Sequence, residues 1–130
     1  MQAEVSRATI SHVAATVLIV DDHAGFRSYA RALLVAEGFD VVGEATDGAS
    51  ALEMARSLAP ELVLLDVALP DMDGFAVCDA LLEDGAGLAV VLTSSRDVSS
   101  YRWRLERSRA RGFIPKSELS GPALAALADG

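Results

Sequence analysis

The sequence predicts an α/β domain built on one five-stranded parallel sheet with helices on both faces. Three observations carry that prediction. Short runs rich in Val, Ile and Leu recur at 16–21 (TVLIVD), 39–44 (FDVVGE), 61–66 (ELVLLD), 88–93 (LAVVLT) and 112–115 (GFIP). Their ends fall at positions 21, 44, 66, 93 and 115, a spacing of 22 to 27 residues, which leaves room for one helix and two short loops each time. The segments between them repeat their apolar residues at helical intervals. Such a (βα)5 rhythm, with right-handed crossovers, gives a doubly wound sheet of strand order 2-1-3-4-5.

Each element has its own signal. The first, third and fourth runs are almost continuously apolar, as strands buried on both faces must be. Across 26–37, Phe26, Ala30, Leu33 and Leu34 form one stripe, and Gly38 is a helix stop. The segment 49–58 places Ala51, Leu52, Ala55 and Leu58 on one face, and Ala59-Pro60 closes it. Asp73-Gly74 opens a helix running through Leu82, ended by Gly85 and Gly87. Helices over 98–109 and 119–128 complete the set. Residues 1–15 lie outside the rhythm and are expected to form a loose arm ahead of a domain spanning 16–130.

Composition narrows the function classes. The chain has 130 residues, 52% of them hydrophobic, which suits a single domain with a real core. Nineteen acidic against 11 basic residues leave a net charge of −8, which excludes a generally basic nucleic-acid binder. Cys78 is the sole cysteine, so no intramolecular disulfide and no Cys-rich metal site can form. It is expected to be a small core residue. The apolar stretch 13–20 is far too short to span a bilayer. The first 15 residues, with Glu4, Arg7 and His12 scattered through them, lack the pattern of a signal peptide. A reduced, cytoplasmic domain without membrane contact is expected.

In an open parallel sheet, ligands bind beyond the carboxyl ends of the strands where the strand order reverses. Here that edge carries Asp21-Asp22 after strand 1 and Asp66 after strand 3, with Thr93 and Lys116 beside them after strands 4 and 5. Three carboxylates with no cysteine among them form a hard oxygen environment suited to Mg2+. Without a cation their charges repel and at least one pKa rises. Lys116 can neutralise a phosphate oxygen and Thr93 can hydrogen-bond another. One Asp at a strand end is often a helix cap, but three acids with Thr and Lys on one edge weaken that reading. Asp71 and Asp73 read as turn and helix start, without chemistry. His23 reads as a rim residue rather than a metal ligand.

The segments VLIVDD (17–22), LVLLDVALPDMDG (62–74), VVLTSS (90–95) and GFIPK (112–116) together resemble the receiver domain of bacterial two-component response regulators. The resemblance covers about 16 to 128 and implies the flavodoxin-like receiver fold. Within it, GFDVVGEATDGASALEMA (38–55) is most similar to receivers that often precede a helix-turn-helix output domain. It implies Asp66 as phosphoacceptor and Asp21 and Asp22 as the acid pair for Mg2+, with Asp22 favoured as the direct ligand. The backbone carbonyl of Ala68 is the implied third protein ligand. Thr93 matches the switch hydroxyl, Lys116 the family lysine and Phe113 the aromatic switch position. The implied partner upstream is a histidine kinase or phosphotransfer protein. The implied output is a remodelled helix 4 and strand 5 face, with room for a phosphorylation-dependent homodimer. The domain would catalyse only its own phosphorylation and dephosphorylation, and would not itself bind nucleic acid.

Two features depart from the family pattern. Many members carry Lys-Pro after strand 5, whereas this chain reads Pro115-Lys116-Ser117, so no cis-proline can follow the lysine. Ala68 and Ser95, at the two variable positions that tune dephosphorylation, are small and leave room for an attacking water. A Mg2+-dependent phosphohydrolase acting through an aspartyl-phosphate is the alternative from another class. It would need a general acid two residues after the nucleophile, where Ala68 stands. A binding module that works without phosphate is a third reading. Finally, 96–111 holds six arginines against Asp97 and Glu106, an excess of four positive charges in an acidic chain. It reads either as a solvated helix face or, through Arg102, Trp103 and Arg104, as a partner surface.

Overall fold

The computed structural model describes residues 15–83 and 87–129. Five strands, β1 (Thr16–Val20), β2 (Asp40–Ala45), β3 (Leu62–Asp66), β4 (Ala89–Ser94) and β5 (Gly112–Pro115), form one parallel sheet in the order β2-β1-β3-β4-β5. The predicted topology is therefore the observed one. Between the strands lie α1 (Ala24–Ala36), α2 (Gly48–Leu58), α3 (Gly74–Glu83) and α4 (Arg102–Arg107), and α5 (Gly121–Asp129) follows the last.

The alternation of side chains along each strand divides the core into two layers. Val17, Ile19, Leu62, Leu64 and Val91 face α1 and α5, where they meet Ala30, Leu34 and Leu124. Leu18, Val20, Val63, Leu65, Val90 and Leu92 face the other way, onto Ala51 of α2 and Phe75, Val77 and Leu81 of α3. All eleven of these strand residues are at most 1% exposed, which explains why their runs carry no polar residue. Each such side chain contributes about 1.5–3 kcal/mol through burial.

Local chemistry ends the helices where the sequence indicated. Gly38 adopts φ 98, and the N–H groups of Gly38 and Phe39 bond to the carbonyls of Val35 and Leu34. This Schellman closure seats Phe39 against Leu34 in the core. Asp47 caps α2 by accepting from Ser50 N, while Ser50 Oγ reaches back to Asp47, a reciprocal capping box. Ala59, in the left-handed region, closes the same helix ahead of Pro60.

Two helical expectations need correction. The helix expected over 98–109 is a 3-10 turn at Val98–Ser100 followed by only six α-helical residues. Asp97 accepts from Ser99 N and favours the tight turn, Tyr101 (φ −126) interrupts the helix, and Ser108 is extended with its hydroxyl accepting from Ala110 N. Ser and Asp compete in this way with helical hydrogen bonds. The last helix begins at Gly121, not Leu119, because a 3-10 turn at Lys116–Glu118 comes first and Ser120 Oγ accepts from Ala123 N. The arm expected over 1–15 and the stop at Gly85 lie outside the described residues, apart from Ala15, whose carbonyl accepts from Asp40 N.

Cys78 is buried in the α3 layer, and burial pushes its thiol up to about 11. A thiol so placed holds almost no thiolate at neutral pH. The native protein is expected not to react with an aromatic disulfide reagent over an hour at pH 7.5, and to titrate one thiol in denaturant. Rapid native reaction would contradict this packing.

Candidate functional site

The carboxyl ends of β1, β3, β4 and β5 bring the predicted residues to one rim. Asp21 directly follows β1, and Asp66 ends β3; both are buried. Lys116 directly follows β5 and enters between them, its Nζ 2.7 Å from Asp21 Oδ2 and 3.4 Å from Asp66 Oδ2. The Lys116 ammonium also lies 4.7 Å from the centre of the Phe26 ring on α1, within cation–π range. Every peptide bond among the described residues is trans, and the Pro115-Lys116-Ser117 order still delivers the lysine to the carboxylates.

Asp21 is held by its loop. Its Oδ1 accepts from His23 N at 2.8 Å, and the ring Nδ1 of His23 lies 3.1 Å from the same oxygen and 3.2 Å from Asp22 Oδ1. The other oxygen, Oδ2, forms an ion pair with Lys116 lacking hydrogen-bond angles. It is the one buried side-chain polar atom without a hydrogen bond among the described residues. Asp22 projects further into solvent than Asp21. Asp66 Oδ1 accepts from Ala68 N at 3.1 Å, which ties the carboxylate to the loop that follows it.

The charges act on one another. Burial pushes the Asp66 carboxyl above the ordinary carboxylate range, and the Asp21 charge adds to that. The Ala68 N–H and the Lys116 ammonium oppose the rise without cancelling it. For Lys116 burial is the largest single influence and acts downward, but the Asp21 and Asp66 carboxylates outweigh it and hold the ammonium more firmly protonated than usual. Ligand atoms from Asp21, Asp22, His23 and Asp66 all lie within 4.8 Å of one another. An oxygen-rich donor set, with a buried carboxylate oxygen short of a hydrogen bond, fits a hard divalent cation such as Mg2+.

The remaining predicted residues divide into two groups. Thr93 pairs with Asp66 in the β3–β4 register, is fully buried, and donates its hydroxyl to Ile114 O at 2.6 Å. Phe113 on β5 packs its ring, tilted, against Tyr101 at 5.9 Å, and Tyr101 packs likewise against Phe75 at 6.0 Å, while a cleft of about 550 Å³ opens beside Phe113, Ser95 and Val98. Of the arginine–tryptophan patch, Trp103 is 64% exposed, with the Arg107 guanidinium 5.1 Å from its ring, and Arg102 is exposed. Arg104 is instead engaged internally: it donates to Asp73 Oδ2 at 2.6 Å and lies over the Phe75 ring at 4.4 Å.

Asp71 and Asp73, read from sequence as turn residues alone, brace the loop after Asp66. Asp71 accepts from Gly48 N (2.7 Å) and Ala49 N (3.0 Å), and these bonds hold its carboxyl below the ordinary range. Asp73 accepts from Phe75 N to start α3 and pairs with Arg104. The sequence offered no signal for the first role, because its partners lie 22 and 23 residues away.

The family model for the response regulator receiver domain matches residues 17–127. The chain belongs to that family. This receiver is 39% identical over 102 residues to BvgA of Bordetella pertussis, a positive transcription regulator of virulence factors, covering 78% of this chain and 49% of BvgA. It is 34% identical over 100 residues to the chemotaxis protein CheY of Bacillus subtilis, covering 77% and 83% of the two chains. Among solved structures, the signal receiver domain of the response regulator NarL from Mycobacterium tuberculosis superposes with a TM-score of 0.80 at 34% identity, over 90% of this receiver and 98% of that chain. The receiver spans about half the length of BvgA and of the NarL transcriptional regulatory protein. None of its described helices is long and apolar enough to cross a membrane.

Proposed function

We propose that residues 16–130 form a phosphorylation-controlled switch with Asp66 as the phosphoacceptor. The observation that carries this is the placement of Lys116 between the buried Asp21 and Asp66 carboxylates at the rim where the sheet order reverses. One Asp66 carboxylate oxygen attacks the phosphorus of a phosphohistidine on a histidine kinase or phosphotransfer protein. The P–N bond breaks, the imidazole leaves with its electron pair and takes a proton, and an acyl phosphate remains on Asp66. Lys116 stabilises charge on the transferring oxygens. Asp22, Asp66 and the Ala68 carbonyl would hold Mg2+, with Asp21 supporting them. The ion would supply charge neutralisation for the phosphoryl oxygens. Hydrolysis by water attack at phosphorus breaks the P–O bond, restores the carboxylate and resets the switch.

In the proposed response the Thr93 hydroxyl leaves Ile114 O for a phosphate oxygen, and Phe113 repacks toward the space that opens. The Tyr101 and Phe75 rings and the short α4 adjoin that movement, so its readout is a population shift of the α4–β5 face. Exposed Trp103 and Arg102 offer that face an aromatic and cationic anchor for an output partner. The name of BvgA suggests transcription control through a further domain, which would supply any DNA contact.

Incubation with Mg2+ and acetyl phosphate tests the reading by intact mass. A gain of one phosphoryl group that hydroxylamine removes is expected, and none in Asp66→Asn. No gain in the wild type, or an equal gain in the variant, would refute it.

A further inference from the structure

Arg27 projects from the first turns of α1 back beneath the loop that bears the acid pair. Its side chain is only 17% exposed, and both ends of its guanidinium are engaged. Nη1 donates to the backbone carbonyl of Asp21 at 2.8 Å, and Nε donates to Glu44 Oε1 at 3.1 Å. Glu44 lies on β2, the neighbour of β1, and its other oxygen accepts from Arg31 one helical turn further along α1. The Arg31 hydrogen bond first, and both guanidinium charges with it, hold the Glu44 carboxyl below its ordinary range. The group bonded to Asp21 is thus a nearly buried cation fixed on a carboxylate that remains ionised.

The bonded carbonyl belongs to the peptide unit joining Asp21 to Asp22. That unit is fixed from two sides. On one, Asp21 Oδ1 closes a local turn by accepting from His23 N; on the other, the guanidinium grips the carbonyl. Rotation of this peptide would swing Asp22, the more exposed acid of the pair, relative to the buried Asp66. Among the described residues Asp22 makes no hydrogen bond or ion pair to Asp66 that would otherwise set the spacing between them; its carboxylate lies 3.2 Å from the His23 ring nitrogen. An ordinary surface ion pair would not explain why Arg27 sends one arm to a main-chain oxygen while Glu44 could be satisfied by Arg31.

We infer that Arg27 is a positioning residue for the Mg2+ site, its fork transmitting the fixed location of Glu44 on β2 to the Asp21–Asp22 peptide. The inference rests on the proposed role of the acid pair and extends it to a residue that no strand-end motif contains. Outer partners of metal ligands act in this way, and their loss costs affinity without altering the ligands themselves. A fork can hold a carbonyl and a carboxylate together, whereas a lysine ammonium retains the charge without that geometry. Arg27→Lys therefore isolates geometry from electrostatics.

Mg2+ affinity by titration calorimetry, and the Mg2+ dependence of Asp66 phosphorylation by acetyl phosphate, provide the test. Arg27→Lys is expected to weaken Mg2+ binding about tenfold, and to raise half-saturating Mg2+ for phosphorylation in parallel. The phosphorylation rate at saturating Mg2+ should stay at the wild-type value, because Asp66 and Lys116 are untouched. Arg31→Ala, which leaves the Arg27 bonds to Glu44 Oε1 and to the Asp21 carbonyl in place, should bind Mg2+ within about twofold of wild type. Should Arg27→Lys fold poorly, Glu44→Gln weakens the same anchor and is expected to shift Mg2+ affinity in the same direction. A folded Arg27→Lys with wild-type Mg2+ affinity would overturn the inference and leave the phosphoacceptor reading standing. So would a lower melting temperature with no shift in half-saturation, the mark of a purely structural ion pair. A wild-type protein that binds no Mg2+ would overturn both.

Discussion

Asp66→Asn is expected to make the protein more stable at neutral pH while abolishing phosphorylation. Burial and the Asp21 charge raise the Asp66 carboxyl above its ordinary 3.8, so the folded chain holds this proton to higher pH than the unfolded chain does. Wherever the folded state binds more protons, stability falls as pH rises. Between 3.8 and the raised folded value Asp66 therefore withdraws stability, and above that interval the deficit persists. Lys116 has the opposite sign and another window. Its folded value lies above 10.5, so its contribution is complete below 10.5 and is lost only as pH climbs through the raised value. It does not confound a measurement near neutrality. Asn keeps an oxygen to accept from Ala68 N, leaves Lys116 paired with Asp21, and removes the charge. A gain of about 1–2 kcal/mol is expected in urea unfolding with chelator at pH 7, at the low end for relief of an imperfectly compensated buried charge. The gain should shrink as pH falls through the raised folded value, where the wild-type carboxyl takes up its proton in the folded state. Added Mg2+ should stabilise the wild type by mass action and the variant less. A wild type that is the more stable at pH 7 with chelator would contradict the electrostatic account. The lost stability is the physical counterpart of the cation and phosphoryl site proposed for these carboxylates.

How far the sequence exposed this arrangement depended on the range of the interaction. Val17 to Val20 and Leu62 to Leu65 are legible because strands buried on both faces leave no position for a polar residue. The strand order then assigns Asp21, Asp22, Asp66, Thr93 and Lys116 to one rim. Gly38 and the Ala59-Pro60 pair are legible because a helix end is a local event. The interactions that escaped are side-chain bonds across elements, which leave no periodic trace. Arg104 reads as a surface arginine, yet its guanidinium is taken by Asp73, 31 residues earlier in the chain. Asp71 reads as a turn residue, yet it caps α2 from another loop. The shortness of α4 was obscured because Val98, Tyr101 and Leu105 do fall at helical spacing. Tyr101 and Leu105 pack into the α3 layer, while Val98 stays 36% exposed. Asp97 and Ser108 decided the local conformation against the pattern.

Gly74→Ala is expected to be among the most damaging single-methyl changes outside the site itself. A Cβ at Gly74 would lie 2.4 Å from Asp66 O, 2.6 Å from Val67 Cα and 2.9 Å from Val67 O. All three are main-chain atoms, so no rotamer change can relieve the contact. The same close approach carries a 2.7 Å hydrogen bond from Gly74 N to Val67 O, which draws the start of α3 against the end of β3. An added methyl must push the two apart, and the end of β3 is where Asp66 and the Ala68 loop stand. In an open helical position the same substitution gains about 0.5–1 kcal/mol by restricting the unfolded chain. Gly25 on α1 is such a position, because a Cβ there meets nothing within 4 Å. The pair makes an internally controlled experiment. Gly25→Ala should unfold at equal or higher urea than wild type. Gly74→Ala should lose about 1–3 kcal/mol through overpacking. Displacement of Asp66 by about 1 Å should also slow phosphorylation by acetyl phosphate by about 100-fold. Equal urea midpoints for Gly74→Ala and wild type, with unchanged phosphorylation, would mean that the loop after Asp66 yields without disturbing the carboxylate. Loss of stability with phosphorylation intact would separate the packing role of the glycine from any role in placing Asp66.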